Sequence, residues 1–267
     1  MSMHRHVVLV LALAVIAPRA GRAQSLEDRI AAASGPAAFE FTTRDNVCGD
    51  GDGIFIADST PVGWNLRPHR SGMHLGRGGN DDGPCEIAPA RAVVGHEGKR
   101  VTSIRISVGG SAPRLDGNIG RVPAEEAARF LLAVAPQLTG RSADEAITGA
   151  SVADVPRVWP RLLEIARDGT ASESSRKTSL FWLSHEAAAA AVAGLGAIAE
   201  DDATSLSVRR DALFHLAQRR DGAGIESLIR IVRQSKSRSI RKDALWHLGQ
   251  SGDPRAIALF AELLAGR

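Results

Sequence analysis

Apolar residues recur at helical spacing through the second half of this chain, and the pattern repeats itself. Three segments stand in register: Ser175 to Leu183, Val208 to Leu216 and Ile240 to Leu248. Each reads as a basic pair, a small residue, Leu, an aromatic and a final Leu, as in Arg209-Arg210-Asp211-Ala212-Leu213-Phe214-His215-Leu216. The steps between them are 33 and 32 residues. A second apolar series runs between the first: Leu162/Ile165, Leu195/Ile198, Leu228/Ile231 and Phe260/Leu263, at steps of 33, 33 and 32. Two interleaved series with one period predict two helices per unit. Val208, Ala212, His215 and Leu216 fall at i, i+4, i+7 and i+8, on one helical face. One unit cannot bury that face alone, so units must stack. One step back from the first members lies Arg129/Leu132 and Ile147, a degenerate first unit. The helical region is expected over 122–267, as about four and a half helix pairs. Asp253-Pro254 places an N-cap and a first-turn Pro before the last helix.

The grammar before residue 120 is different. Phe39 to Thr43, Gly53 to Ala57, Ala90 to Gly95 and Arg100 to Val108 read as strands, with His96-Glu97-Gly98-Lys99 as a hairpin turn. The stretch 63–86 carries Gly, Pro, Asn and Asp without periodicity and is expected to be a long irregular loop. A β-rich unit over 37–118 follows a short helix at Leu26 to Ala33, within a helix and linker segment 24–36.

The N-terminus changes how the charge is read. Arg5 precedes an apolar run from Val7 to Ala17, Pro18 breaks it, and small residues follow at Gly21 and Ala23. The run is about 11 residues against about 20 needed to span a bilayer. A cleavable signal over 1–23 is expected, with export to the periplasm or medium, cleavage near Ala23/Gln24 and no membrane span afterwards. The chain carries 33 Lys+Arg against 30 Asp+Glu, but Arg5, Arg19 and Arg22 lie in the signal, which has no acid. The remainder is 30 against 30, so global charge points away from nucleic acid. Cys48 and Cys85 are the two cysteines, and in an exported protein they are expected to pair. Closing a loop of roughly 37 residues contributes about 4 kcal/mol in the chain-entropy model.

The unit Ser-Val-Arg-Arg-Asp-Ala-Leu, with Gly252-Asp253-Pro254-Arg255-Ala256-Ile257 before the next helix, resembles the short bacterial HEAT repeat of the phycobilisome-lyase type over about 122–267. The fold this implies is α+β by segment: a small disulfide-linked β-rich N-terminal unit, then an all-α, right-handed α-solenoid of HEAT-like repeats. The resemblance also implies that one Arg per unit bonds an acid of its neighbour, with Asp211 and Asp243 as candidates. The dibasic ladder Arg176-Lys177, Arg209-Arg210 and Arg241-Lys242 would then spare one cation per pair for solvent and for an acidic protein partner. Between residues 204 and 242 ten Lys/Arg face three acids, an excess of +7. His215 and His247 share a register with Trp182, which argues for packing.

The enzyme alternatives are thinner. Deoxyhypusine hydroxylase is a HEAT protein that binds iron through repeated His-Glu pairs, and this chain has His96-Glu97 and His185-Glu186, only one of them in the repeats. Asp50-Gly51-Asp52-Gly53 resembles a calcium loop without its closing Glu. His69, His74, Asp81 and Asp82 share the irregular loop without ligand spacing. No nucleophile elbow, P-loop or zincin motif occurs. The expectation is an exported, non-catalytic scaffold with no cofactor that binds a protein. A HEAT-like lyase or hydroxylase is the alternative.

Overall fold

A computed structural model describes residues 24–57, 72–76, 86–111, 116–186, 188–219 and 221–266. The expected signal, 1–23, lies outside the described residues, as do Cys85, His69, Asp81 and Asp82.

A small N-terminal sheet is followed by a helical repeat region. Helix α1 (Leu26–Ala31) starts at Ser25, whose hydroxyl accepts from the Asp28 N–H at 3.2 Å. Strands β1 (Ala37–Phe41), β5 (Ala90–Glu97), β6 (Arg100–Val108) and β7 (Gly117–Arg121) form one sheet in the order β6-β5-β1-β7. β1 runs antiparallel to β5 and parallel to β7. Strands β2 (Val47–Gly49), β3 (Gly53–Ala57) and β4 (Gly72–Gly76) make a second, antiparallel sheet. The β5–β6 hairpin turns at Gly98-Lys99, and Gly98 takes a φ of +59°, where a side chain would be strained.

The helices are α2 (Ala124–Val134), α3 (Gly140–Val152), α4 (Trp159–Arg167), α5 (Glu173–Ser184), α6 (Ala189–Glu200), α7 (Leu206–Ala217), α8 (Ala223–Gln234), α9 (Arg238–Ser251) and α10 (Pro254–Leu264). They form two rows. In one, α3, α5, α7 and α9 pack in succession, and in the other, α4, α6, α8 and α10 do. Within each unit α4 packs on α5, α6 on α7 and α8 on α9. Ser172, Ser205 and Ser237 cap the N-termini of α5, α7 and α9, so the capping residue repeats with the units.

The sheet and the helices share one core. Phe39 of β1 meets Phe130 of α2 edge-on, at 5.9 Å between ring centres. Helix α3 lies against β6: the Ile106 N–H donates to Glu145 Oε2 at 2.8 Å. A methyl group at Gly149 would sit 2.6 Å from Ile106 Cδ1, so any side chain there would force Ile106 and Leu131 to shift. A bridge between Thr43 and Ala153 stitches the segment after β1 to the segment after α3. The Arg44 guanidinium adds a link at 2.8 Å to Glu186, in the α5–α6 connection. The β-rich region was expected to lean on its disulfide. The four-stranded sheet also packs on α2 and α3.

The strands differ from expectation in three places. β4 falls inside the stretch expected to be an irregular loop, where pairing with β3 supplies order that composition does not advertise. β7 contains two glycines and one apolar residue, and its parallel pairing with β1 makes it a strand. β2 has three residues, too short to show alternation.

Helix α10 is held by a titratable cap. Asp253 accepts from the Arg255 N–H at 2.8 Å and from its guanidinium at 2.9 Å. These bonds, the guanidinium's first, lower the Asp253 pKa from 3.8 to about 2. A depressed carboxyl pKa stabilises above the unfolded value, and the contribution is lost as pH falls through the folded one. Asp253→Asn is therefore expected to melt below wild type at neutral pH, the gap closing as pH drops from 3.8 towards about 2. Thermal melts across that range check this, and a gap independent of pH contradicts it.

Candidate protein-binding face

Four residues separate the second basic residue of each pair from the aromatic that follows it: Lys177 from Phe181, Arg210 from Phe214, Lys242 from Trp246. On a helix that spacing stacks the two on one face. Because α5, α7 and α9 pack side by side, the three pairs form a stripe across their row. Exposure rises along it: Phe181 is partly buried, Phe214 is 46 % exposed and Trp246 63 %. A groove between α5 and α7 is lined by Lys177, Leu206, Ser207, Arg210, Asp211 and Phe214.

The first basic residue of each pair has another task. Arg176 and Arg209 are only 8 % and 7 % exposed. Their Nε atoms donate to Ala166 O at 3.1 Å and Ala199 O at 3.0 Å, carbonyls in the last turns of α4 and α6. Arg241 donates instead through Nη1 to Ser235 O, at the C-cap of α8. One arginine per unit thus satisfies a carbonyl that the end of the preceding helix leaves without an intrahelical donor. For this member of the pair the partner is a backbone carbonyl, joined at Arg209 by Asp202 at 2.7 Å, and the expected bond to a neighbour's acid falls to the other member. Arg176 and Arg209 are too enclosed to meet a partner protein.

The ladder between units runs through the other member. Arg210 donates to Asp243 of the next unit at 2.7 Å and to Ser239 at 3.1 Å. Lys177 pairs with Glu173 on its own helix at 3.0 Å. The local excess of +7 also shrinks, because acids outside the counted window close onto it. Glu200 faces Arg230, Glu262 faces Arg233, and Asp202 and Asp243 take Arg209 and Arg210. Among the described cations of the window, Lys236, Arg238 and Lys242 are exposed and have no acid partner. They lie together at the start of α9.

The histidines of the repeat pack under the stripe. Each stands against the aromatic of the preceding unit: His215 lies 5.9 Å from Phe181 and His247 6.3 Å from Phe214, both edge-on. His215 also meets Asp211 at 3.3 Å. Burial lowers the His247 pKa from 6.5, outweighing the Asp243 carboxylate that raises it, and so favours the neutral ring. Trp182, in the same register, is buried and donates to Thr148 at 3.4 Å.

The sequence's other candidate ligands are employed in the fold. Glu186 takes Arg44, and His185 Nδ1 lies 2.9 Å from Phe181 O. The ring nitrogens of His96 lie 2.9 and 3.1 Å from the carbonyl oxygens of Gly35 and Gly98. Asp50 accepts from the Asp52 N–H in a local turn, and Asp52 reaches Arg105 at 3.5 Å. Of His74 only the backbone, in β4, is described. Cys48 is not a free thiol, and Gly49 and Glu86, the residues following the two cysteines, exchange backbone hydrogen bonds of 3.0 and 2.8 Å.

The aromatic member of the stripe went unread as a surface feature in the sequence, although its spacing from the basic residue was visible there. With two helical rows, a conserved spacing between units and a capping arginine in each, the geometry asks for a repeat family. Residues 192–266 match the family model of HEAT repeats. The match covers α7 to α10 and most of α6, and so includes two of the three steps of the stripe. No curated protein matches the chain. Among the described residues no helix is long and apolar enough to cross a membrane.

Proposed function

We propose that the protein is an exported, non-catalytic scaffold that binds another protein on the α5–α7–α9 row of its HEAT repeats. The observation that carries this reading is the stripe: an aromatic one turn after a cation on α5, α7 and α9, exposed on the last two, at the register of the repeat. HEAT repeats are commonly protein-interaction surfaces, which supports the same choice. Aromatics and arginine, here Phe214, Trp246 and Arg210, are also residue types that anchor protein interfaces. An acidic side to the partner is favoured by Lys236, Arg238 and Lys242, which pair with no acid among the described residues.

Export is supported by the N-terminal pattern, which the packed fold follows closely. Ser25 already caps α1, two residues after the expected cleavage point, and Leu26 is fully buried. The Cys48–Cys85 pairing is supported by the bonded state of Cys48 and by the backbone exchange between Gly49 and Glu86.

Affinity capture from the native envelope fraction tests the proposal. The Arg210→Glu, Phe214→Ala variant is expected to lose at least one protein that wild type retains, while its melting temperature stays within a few degrees, because exposed ion pairs contribute about 0–1 kcal/mol. Retention of the same proteins by both would place binding elsewhere.

A further inference from the structure

Arginines lace the connections between successive units. Arg219, in the α7–α8 connection, is held by both carboxylate oxygens of Asp221, two residues on. Its Nη1 donates back to the connection one unit earlier, to Glu186 O at 2.9 Å and Ser184 O at 3.0 Å. Arg255, at the start of α10, repeats the arrangement. Asp253 holds its guanidinium, and Nη2 donates to Gly222 O at 3.0 Å, in the α7–α8 connection. Each arginine stands 33 residues after the carbonyl that it reaches. The pattern is a carboxylate in one connection, a carbonyl in the connection before it, and a guanidinium that bridges them. A planar fork of donors suits this double task better than an ammonium does.

The step nearer the N-terminus lacks an arginine of its own. Glu186 holds the position 33 residues before Arg219, and 33 residues before Glu186 stands Ala153, in the α3–α4 connection. Carboxylate and carbonyl are thus both in place, and both are acceptors. Arg44 brings the donors from outside the repeats. Its Nη2 donates to Glu186 Oε1 at 2.8 Å and its Nε to Ala153 O at 3.4 Å. Backbone bonds fix it there: the Arg44 N–H donates to Val152 O at 3.0 Å and the Asp154 N–H to Thr42 O at 2.9 Å. The side chains of Arg44 and Glu186 are only 26 % and 11 % exposed, so salt screens the pair less than a surface one.

We infer that the N-terminal sheet unit is a clasp on the helical array: Arg44 supplies, between the α3–α4 and α5–α6 connections, the bridging guanidinium that the repeats supply for themselves further on. Among the described residues, Arg219 and Arg255 close two steps from within, and Arg44 closes the step before them from the segment after β1. Its release would loosen this step alone and leave the later ones laced. The step holds α5, which carries Lys177 and Phe181, but the clasp does not depend on what that row binds.

Residue-resolved hydrogen exchange on the full chain tests this. Arg44→Ala is expected to speed exchange about tenfold at residues 185 and 186, whose N–H groups bond Trp182 O and Leu183 O. Residues 218 and 219, bonded to Phe214 O and Leu216 O in the later connection, should exchange as in wild type. Moving the repeat's own arrangement into the gap should repair the step. Glu186→Arg with Ala188→Asp sets an arginine and an aspartate two residues apart, as at Arg219 and Asp221. In the Arg44→Ala background this pair is expected to restore protection at 185 and 186. Ala188→Asp alone, which only adds a capping carboxylate to α6, should not. Arg44→Lys keeps the charge and loses the fork, and the same local loosening is expected of it should Arg44→Ala fail to fold. Unchanged protection at 185 and 186 in the variant that folds overturns the clasp. Loosening of 218 and 219 to the same extent does so too, as does a transplanted pair that restores no more than Ala188→Asp.

Discussion

Phe130→Ala is expected to destabilise the protein by about 3–5 kcal/mol, the cost of emptying an aromatic site in a packed core. Phe130 is almost fully buried on α2, and its ring meets Phe39 on the central strand of the four-stranded sheet. Phe39 in turn lies 6.0 Å from Phe41, so the cavity would open where sheet and helices are joined. The loss should therefore appear in both at once, with strand and α2–α3 signals shifting together in denaturant. Residue-resolved hydrogen exchange against guanidinium measures this directly. A sheet that keeps its protection while α2 and α3 lose theirs would show two cores where the packing has one.

The second large effect separates two positions that the repeat makes equivalent. Leu213 and Leu245 occupy the same place in successive units, and the repeat alone predicts equal costs for their truncation to Ala. In the fold Leu213 is fully buried on α7, between α5 and α9, while Leu245 is only partly buried on α9. Leu213→Ala should cost about 2–5 kcal/mol, and Leu245→Ala less than half of that, because the side chain has fewer neighbours to lose. Equal destabilisation in chemical unfolding would mean that Leu245 is packed as fully as Leu213.

The helical half was readable because its information is periodic. Two apolar series at one period define two helices per unit, and Ser172, Ser205 and Ser237 mark where the second of each begins. The sheet was harder. β6 and β5 show apolar alternation, but β7 is a strand because β1 is there to pair with it, and β4 because of β3. Side-chain partners lay further out of reach. Sequence neighbours cannot say that Arg209 turns back to the carbonyl of Ala199 while Arg210 crosses to Asp243. The local charge excess misled for a related reason: the window ended at 242, and the acid that answers Arg210 stands at 243. The aromatic stripe was legible in part. Its register was plain, but its exposure depends on how α5, α7 and α9 pack.

The central claim is that the α5–α7–α9 row is the face that meets another protein. Photo-crosslinking from within the native envelope tests it, with a photoreactive phenylalanine analogue placed at Phe214 or, as a control, at the exposed Ala197 on α6 of the other row. The account predicts a discrete protein adduct from position 214 and none from position 197. Adducts from 197 alone, or the same adducts from both, would contradict it.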